Sequence, residues 1–246
     1  MTDLAAEAPV FPITDRNRVK RVHERGSYDH ASVFAILDAG MLCHVSYVID
    51  GQPYCTPTLF WREEDWLYWH GSSASRMLRS QRPGVPACLT VSQLDGLVLA
   101  RSGFHHSVNY RAAMCFGTAH IIDDAAEKAE ALDGVVNRLF PGRAGELRTI
   151  SPQEFKATTV IGMKIEEASA KVRASGVADD EEDYTFPVWA GVIPVTTVLG
   201  EAEACPRLLP GMTQTESLAA YRPGRRLDEL LIETQRQYEG MRRAED

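Results

Sequence analysis

Three apolar runs rich in β-branched and aromatic residues follow one another in the first third of the chain, and the turn between the first two restricts how they can pair. Met41–Ile49 is followed by Asp50-Gly51 and then by Tyr54–Trp61. Asp-Gly supplies the two positive-φ residues of a type I′ turn, whose twist matches that of the flanking strands, so the two runs return on each other as a hairpin. Arg62–Asp65 reads as a second polar turn and Trp66–His70 as a third strand, which extends the hairpin into an antiparallel meander.

Further strands are expected at Ala87–Gln93 and Leu97–Ala100, on either side of Asp95-Gly96, and at Ala112–Ile122, Val160–Glu167 and Val188–Val198. Helices are expected between and after them. Ser27 or Asp29 can cap one running to about Ala39, and the small polar turn Gly71–Ser75 leads into a short one at Ser75–Gln81. Asp124-x-x-Glu127 resembles a capping box opening a helix with Leu132, Val135, Val136 and Leu139 on one face. Ser151–Thr158 has Pro152 at its first helical position. Leu227–Met241 carries Leu227, Leu230, Leu231, Thr234 and Tyr238 on one side, so it docks on something. The fold class is therefore mostly β with added helices, an antiparallel barrel or sheet.

Lys plus Arg number 26 against 34 for Asp plus Glu, a formal charge of -8. That balance argues against a protein that coats nucleic acid or an anionic membrane, and leaves room for one pocket for a small anion. The basic cluster Arg16, Arg18, Lys20, Arg21 and Arg25 reads as an exposed amphipathic segment. The five cysteines are scattered with no CxxC pair, the acidic start is broken by Pro9 and Pro12, and no apolar run spans a bilayer. A cytoplasmic location and no membrane partner are the expectation. Dinucleotide, P-loop, GxSxG and HExxH motifs do not occur. His105 and His106, if adjacent on a strand, point to opposite faces and cannot easily share a metal; Asp179–Asp183 reads as a solvated acidic loop. No metal site is expected.

Three segments carry more chemistry than a simple core needs. Thr56-Pro57-Thr58-Leu59-Phe60-Trp61 and Trp66–His70 place an aromatic strand before the turn into Ser75-Arg76, where hydroxyls, backbone N–H groups and a guanidinium can converge on a phosphate. Arg101–Arg111 is a donor-rich connection between strands. Phe186–Val195 holds two prolines and an Ala-Gly pair, suited to close approach by a ligand.

In their order and spacing over residues 27–195, these segments resemble the flavin-binding split-barrel family of pyridoxamine 5'-phosphate oxidase, in particular its nitroimidazole-resistance-like members. The resemblance implies an FMN-binding split β-barrel, with FMN (or FAD) at the interface of a homodimer. Ser75 and Arg76 would bind the phosphate, and Thr56, Pro57, Thr58 and Leu59 would run along the isoalloxazine edge. Trp69 and His70 would border the ribityl chain, and Asn109, Tyr110, Arg111 and Trp189 would complete the site, some from the second subunit. It also implies a division into an N-terminal arm (1–26), a barrel with inserted helices (27–198) and a C-terminal helical extension (199–246).

The departures point away from vitamin B6 phosphate. Met77 stands where such oxidases place a lysine, and Ile193 and Val195 stand where they place the substrate's arginine and histidine. A neutral or aromatic acceptor suits the lost charges better. The implied activity is an FMN-binding oxidoreductase passing electrons to a nitroaromatic- or quinone-like acceptor. The alternative is a non-catalytic flavin- or haem-binding protein, with His70, His105 and His106 as the imidazoles to consider for haem.

Overall fold

The computed structural model describes residues 9–75, 77–78 and 84–245. The strands are β1 (Gly26–Ser27), β2 (Leu42–Ile49), β3 (Gln52–Glu63), β4 (Trp66–Ser72), β5 (Val85–Leu99), β6 (Ser107–Ile121), β7 (Thr158–Lys164), β8 (Glu167–Arg173) and β9 (Gly191–Pro194). The helices are α1 (His30–Asp38), α2 (Ala125–Leu139), α3 (Pro152–Ala157) and α4 (Leu227–Glu245).

The meander forms as expected. Asp50 and Gly51 both take positive φ (50° and 76°), and β2 pairs with β3 from Leu42↔Leu59 to Ile49↔Gln52. β4 then pairs with the far end of β3, from Phe60↔Trp69 to Glu63↔Trp66. Strands β6, β7, β4, β3, β2 and β5 are each bonded to the next, and β5 pairs back to β6, so the ring closes. β8 and β1 extend from β6, and β9 extends from β5.

The split occurs on β6. Its residues Tyr110–Phe116 pair with β8, whereas Ala119–Ile121 pair with β7. Between the two lies Gly117, where a Cβ would sit 2.1 Å from the Lys164 carbonyl oxygen. Only a residue without a side chain lets the chain cross from β7 to β8 at this height.

Alternation fills the barrel. Cys43, Val45 and Tyr47 of β2, Leu67 and Trp69 of β4, Leu89 and Val91 of β5 and Ala113 and Cys115 of β6 are buried together in one core. Trp61, Val160, Ile122, Ala131 and Val135 form a second cluster between the sheet's outer face and α2. Asp29 caps α1 by accepting from Ser32 N–H, and Asp124 caps α2 by accepting from the N–H groups of Ala126 and Glu127. Ser151 and Glu154 complete a reciprocal capping box on α3.

Four local expectations change. Asp95-Gly96 is an irregularity inside one long β5 (Leu94↔Tyr110, then Gly96↔Asn109), because β6 runs alongside both halves and its ladder outweighs the local turn signal. The donor-rich connection is correspondingly shorter, since Ser107–Arg111 already belongs to β6. The late strand shrinks to β9, which pairs only with Gly96–Leu99. β8 carries no strong strand signal, because its buried positions are Ala168, Ser169, Ala170 and Arg173, none of them β-branched or aromatic. Met77 and Leu78 are helical and buried, while the rest of the short helix expected to Gln81 lies outside the described residues.

The stripe on α4 docks against α1, α2 and the β3–β4 turn. Leu230, Leu231, Thr234, Gln235 and Tyr238 are all buried. Tyr238 Oη donates to Glu63 (2.7 Å), Arg62 pairs with both Asp38 (2.7 Å) and Glu239 (2.7 Å), and Arg138 donates to Thr234 Oγ1 (3.0 Å). Phe11, ahead of β1, is also buried in the barrel core and stacks on His30.

Candidate functional site

β3 is twelve residues long, but β4 covers only its last four, Phe60–Glu63. Gln52–Leu59 therefore has β2 on one edge and, among the described residues, no strand on the other. Phe60 N–H donates to Met41 O on the β2 side. Antiparallel alternation then turns the backbone groups of Cys55, Pro57 and Leu59 to the open edge. Pro57 has no N–H, so Cys55 and Leu59 supply the donors there and all three supply carbonyls. An unpaired strand edge is a ready set of hydrogen-bonding groups for a flat, polar-rimmed ligand. Thr56 and Thr58 point the other way, inward; Thr56 Oγ1 lies 3.1 Å from Tyr47 Oη.

β4 splits its two candidates between faces. Trp69 is fully buried in the barrel core, and its Nε1 has no hydrogen-bond partner among the described residues. His70 faces outward, half-buried, with its ring 5.9 Å from that of Trp61. Its Nδ1 is buried without a partner among the described residues. Burial lowers its pKa, because desolvation disfavours the charged imidazolium. Beyond it, Ser73 N–H donates to Ala157 O (2.8 Å) and Ser75 N–H to Ser72 O (2.8 Å), a tight polar turn leading to Ser75. Arg76, the expected phosphate ligand, lies outside the described residues.

The second group sits on β6 and the segment before β9. Asn109 Oδ1 accepts from Ser175 N–H (3.2 Å) and from Arg173. Tyr110 is paired with Arg173 across β8. Arg111 is held by two carboxylates, Asp95 (2.7 Å) and Asp228 at the start of α4 (3.0 Å), at the end of a cavity of about 330 Å³ also lined by Leu42, Gln93, Thr197 and Leu231. The hydrogen bond to Asp95 outweighs burial and raises the Arg111 pKa. Trp189 is 64% exposed, with its ring against Gly191. Within one chain the sequence-derived residues thus form two groups, one on β3–β4 and one on β6 with Trp189.

Sequence reasoning missed the carboxylates that hold Arg111. Asp228 lies 117 residues from Arg111, and nothing local signals the pairing. It missed equally that His105 and His106 leave β5 in a turn rather than on a strand, so their rings take different partners: His105 Nε2 lies 3.2 Å from Asp180, and His106 Nδ1 lies 2.8 Å from Ser102 O.

The solved structure of the flavocytochrome Anf3 from Azotobacter vinelandii is 47% identical, over 86% of this chain and 98% of that one, with a TM-score of 0.80. The solved structure of the FAD and heme binding protein from Mycobacterium smegmatis is 35% identical, over 82% of this chain and 98% of that one, with a TM-score of 0.78. No curated protein matches the chain. The family model described as pyridoxamine 5'-phosphate oxidase matches residues 29–172, the stretch that runs from the cap of α1 through all six strands of the ring to β8. A split barrel whose closing strands all fall inside that match leaves one assignment: the chain belongs to the pyridoxamine 5'-phosphate oxidase family.

Proposed function

We propose that the chain is a redox protein that binds a flavin and a haem together. The similarity at nearly full length to a flavocytochrome and to an FAD and heme binding protein motivates the pairing of cofactors. The observation in this chain that carries it is His70: a half-buried imidazole whose buried Nδ1 has no partner among the described residues, whose pKa is lowered by burial, and whose ring lies 5.9 Å from that of Trp61. A neutral imidazole is what an axial haem ligand requires. Of the three histidines considered, His105 and His106 already have partners, the Asp180 carboxylate and the Ser102 carbonyl.

For the flavin, the residues present fit. The open edge of β3 at Cys55–Leu59 offers alternating donors and acceptors to a pyrimidine edge, and the polar turn Ser72–Ser75 leads to Ser75 and Arg76 as the phosphate anchor. FAD is favoured by the similarity to the FAD and heme binding protein, with FMN as the alternative. When bound, the flavin takes and gives electrons in ones or twos and the haem iron in ones. The chain's own part is to hold both and to keep His70 half-buried beside Trp61, where desolvation favours its uncharged form. Asn109, Tyr110, Arg111 and Trp189 would join this site from a second copy of the chain. Exposed Leu42, Val48 and Leu94 on the outer faces of β2 and β5 supply an apolar surface for that contact. Electron delivery to a nitroaromatic or quinone is the finer reading, supported by Ile193 and Val195 in place of cations.

The test is the absorbance spectrum of the protein as purified and after reconstitution with FAD, FMN and hemin. A flavin band and a haem Soret band are expected together, and His70→Ala should keep the flavin and lose the haem. Failure to bind any flavin, or a haem spectrum unchanged in the His70 variant, would overturn the reading. Chromatography of the released flavin separates FAD from FMN.

A further inference from the structure

Away from that site, the β5–β6 connection and the acidic run after β8 are clasped face to face. Asp179 accepts from Arg101 N–H (3.0 Å) and from the Arg101 guanidinium (3.0 Å), and its side chain is fully buried. That anchor fixes the residue immediately before Asp180. Asp180 precedes the 3-10 turn Glu181–Thr185, but its side chain makes no capping bond, so its carboxylate is free to face the connection. Asp183 N–H donates to Asp180 O (2.9 Å), which ties the two residues together at the start of the turn.

His105 completes the arrangement. Its Nε2 is 3.2 Å from Asp180 Oδ2, and one ligand atom from each of His105, Asp180 and Asp183 lies within 4.8 Å of the other two. Metal–ligand bonds of about 2.0–2.2 Å would draw such atoms together by modest side-chain rotation. The run 179–183 holds five carboxylates, and Arg101 neutralises only Asp179, so a dication offsets the remaining repulsion. One imidazole with two carboxylates suits Zn²⁺, Co²⁺, Ni²⁺ or Mn²⁺; Ca²⁺ would be served by oxygen ligands alone. The Asp180 side chain is 71% exposed, which leaves an entry path and room for water to complete the coordination.

We propose that His105, Asp180 and Asp183 bind a divalent first-row transition metal that staples the β5–β6 connection to the segment 179–185. β6 leaves this connection toward Asn109–Arg111, and the acidic segment continues toward Trp189 and β9, so the staple fixes the frame on which both sit. The site stands apart from His70 and β3, and its occupancy does not depend on the flavin or the haem.

The test uses untagged, cofactor-bound protein dialysed against a chelator and titrated calorimetrically with Zn²⁺, Mn²⁺ and Ca²⁺. One equivalent of Zn²⁺ or Mn²⁺ should bind, with affinity falling tenfold or more in His105→Ala and in Asp183→Asn. Glu182→Gln, in the same acidic run but outside the triad, should bind as wild type. The Co²⁺ adduct should lose its visible bands in His105→Ala while the flavin and haem bands stay. No saturable binding, tighter binding of Ca²⁺ than of Zn²⁺, or equal weakening by Glu182→Gln and Asp183→Asn would overturn the proposal. Circular dichroism of each metal-free variant separates lost ligation from lost fold.

Discussion

Replacing Gly117 with alanine tests whether the split in the barrel is set by one missing side chain. A Cβ at 117 would lie 2.1 Å from Lys164 O, 2.9 Å from Met163 Cγ and 3.3 Å from Lys164 C. The first neighbour is backbone, so it cannot rotate away; the crossing from β7 to β8 must move by roughly 1 Å to restore ordinary van der Waals separation. Two hydrogen bonds hold that crossing in place, Ile165 N–H to Asp65 O (2.8 Å) and Glu166 N–H to Phe116 O (2.9 Å). Overpacking a tight site costs about 1–3 kcal/mol, and weakening two buried hydrogen bonds adds about 1 kcal/mol each. The expected loss is thus about 3–5 kcal/mol. In a chain of this size each kcal/mol moves the Tm by about 2–4 °C, so the melting temperature should fall by roughly 6–20 °C. Urea titration followed by tryptophan fluorescence gives the same quantity from the midpoint, provided the slope is unchanged. Gly103→Ala is the control, because nothing lies within 4 Å of its Cβ position. A Gly117→Ala protein within about 1 kcal/mol of wild type, or a Gly103→Ala protein equally destabilised, would refute the reasoning.

Arg62→Met should cost about 3–5 kcal/mol by stranding Asp38 and Glu239 beside an apolar side chain; the double variant with Glu239→Gln should recover part of it in urea denaturation. Hydrogen bonds from Arg226 and, against some burial, from Arg111 hold the Asp228 pKa down at about 2 from 3.8. A depressed carboxylate contributes stability above its unfolded pKa and loses it as pH falls, so the wild-type advantage over Asp228→Asn, about 1–2 kcal/mol at pH 7, should vanish between pH 4 and about 2. An advantage that persists below that window counts against the pairing. Ser151→Ala removes one half of the α3 capping box and should cost about 1 kcal/mol, read from the Tm.

The two cases of Asp-Gly show how far local sequence reaches. At Asp50-Gly51 the chain reverses, and the residues beside the turn, Tyr47–Ile49 and Gln52–Tyr54, pair with each other. At Asp95-Gly96 the same dipeptide becomes an irregularity in a straight strand, because β6 offers a continuous ladder to both sides. The α2 cap was legible and Asp29 was one of two candidates for α1, since a cap is a contact within three residues of its own helix; the Ser151–Glu154 box on α3 was not read, only Pro152 at its first position. β8 was not legible, because its strand character comes from pairing with β6 and β1 rather than from Ala168, Ser169 and Ala170.

The candidate site divides in the same way. The type of residue at each position was readable, including the aromatic strand before a polar turn and the missing cations at Ile193 and Val195. Which group meets which was not. Arg111 reads as a cation of the flavin site, and the fold brings Asp228 to it from 117 residues away. Two features that looked inert alone, a histidine pair and a solvated acidic run, become one N/O donor cluster when His105 and Asp180 meet across 75 residues. Sequence by itself determined the meander and the capped helices, because those rest on neighbours in the chain. The tertiary structure alone decided where β6 splits and which carboxylates claim Arg111, because closing a barrel juxtaposes residues whose only relation is the shear of the strands that carry them.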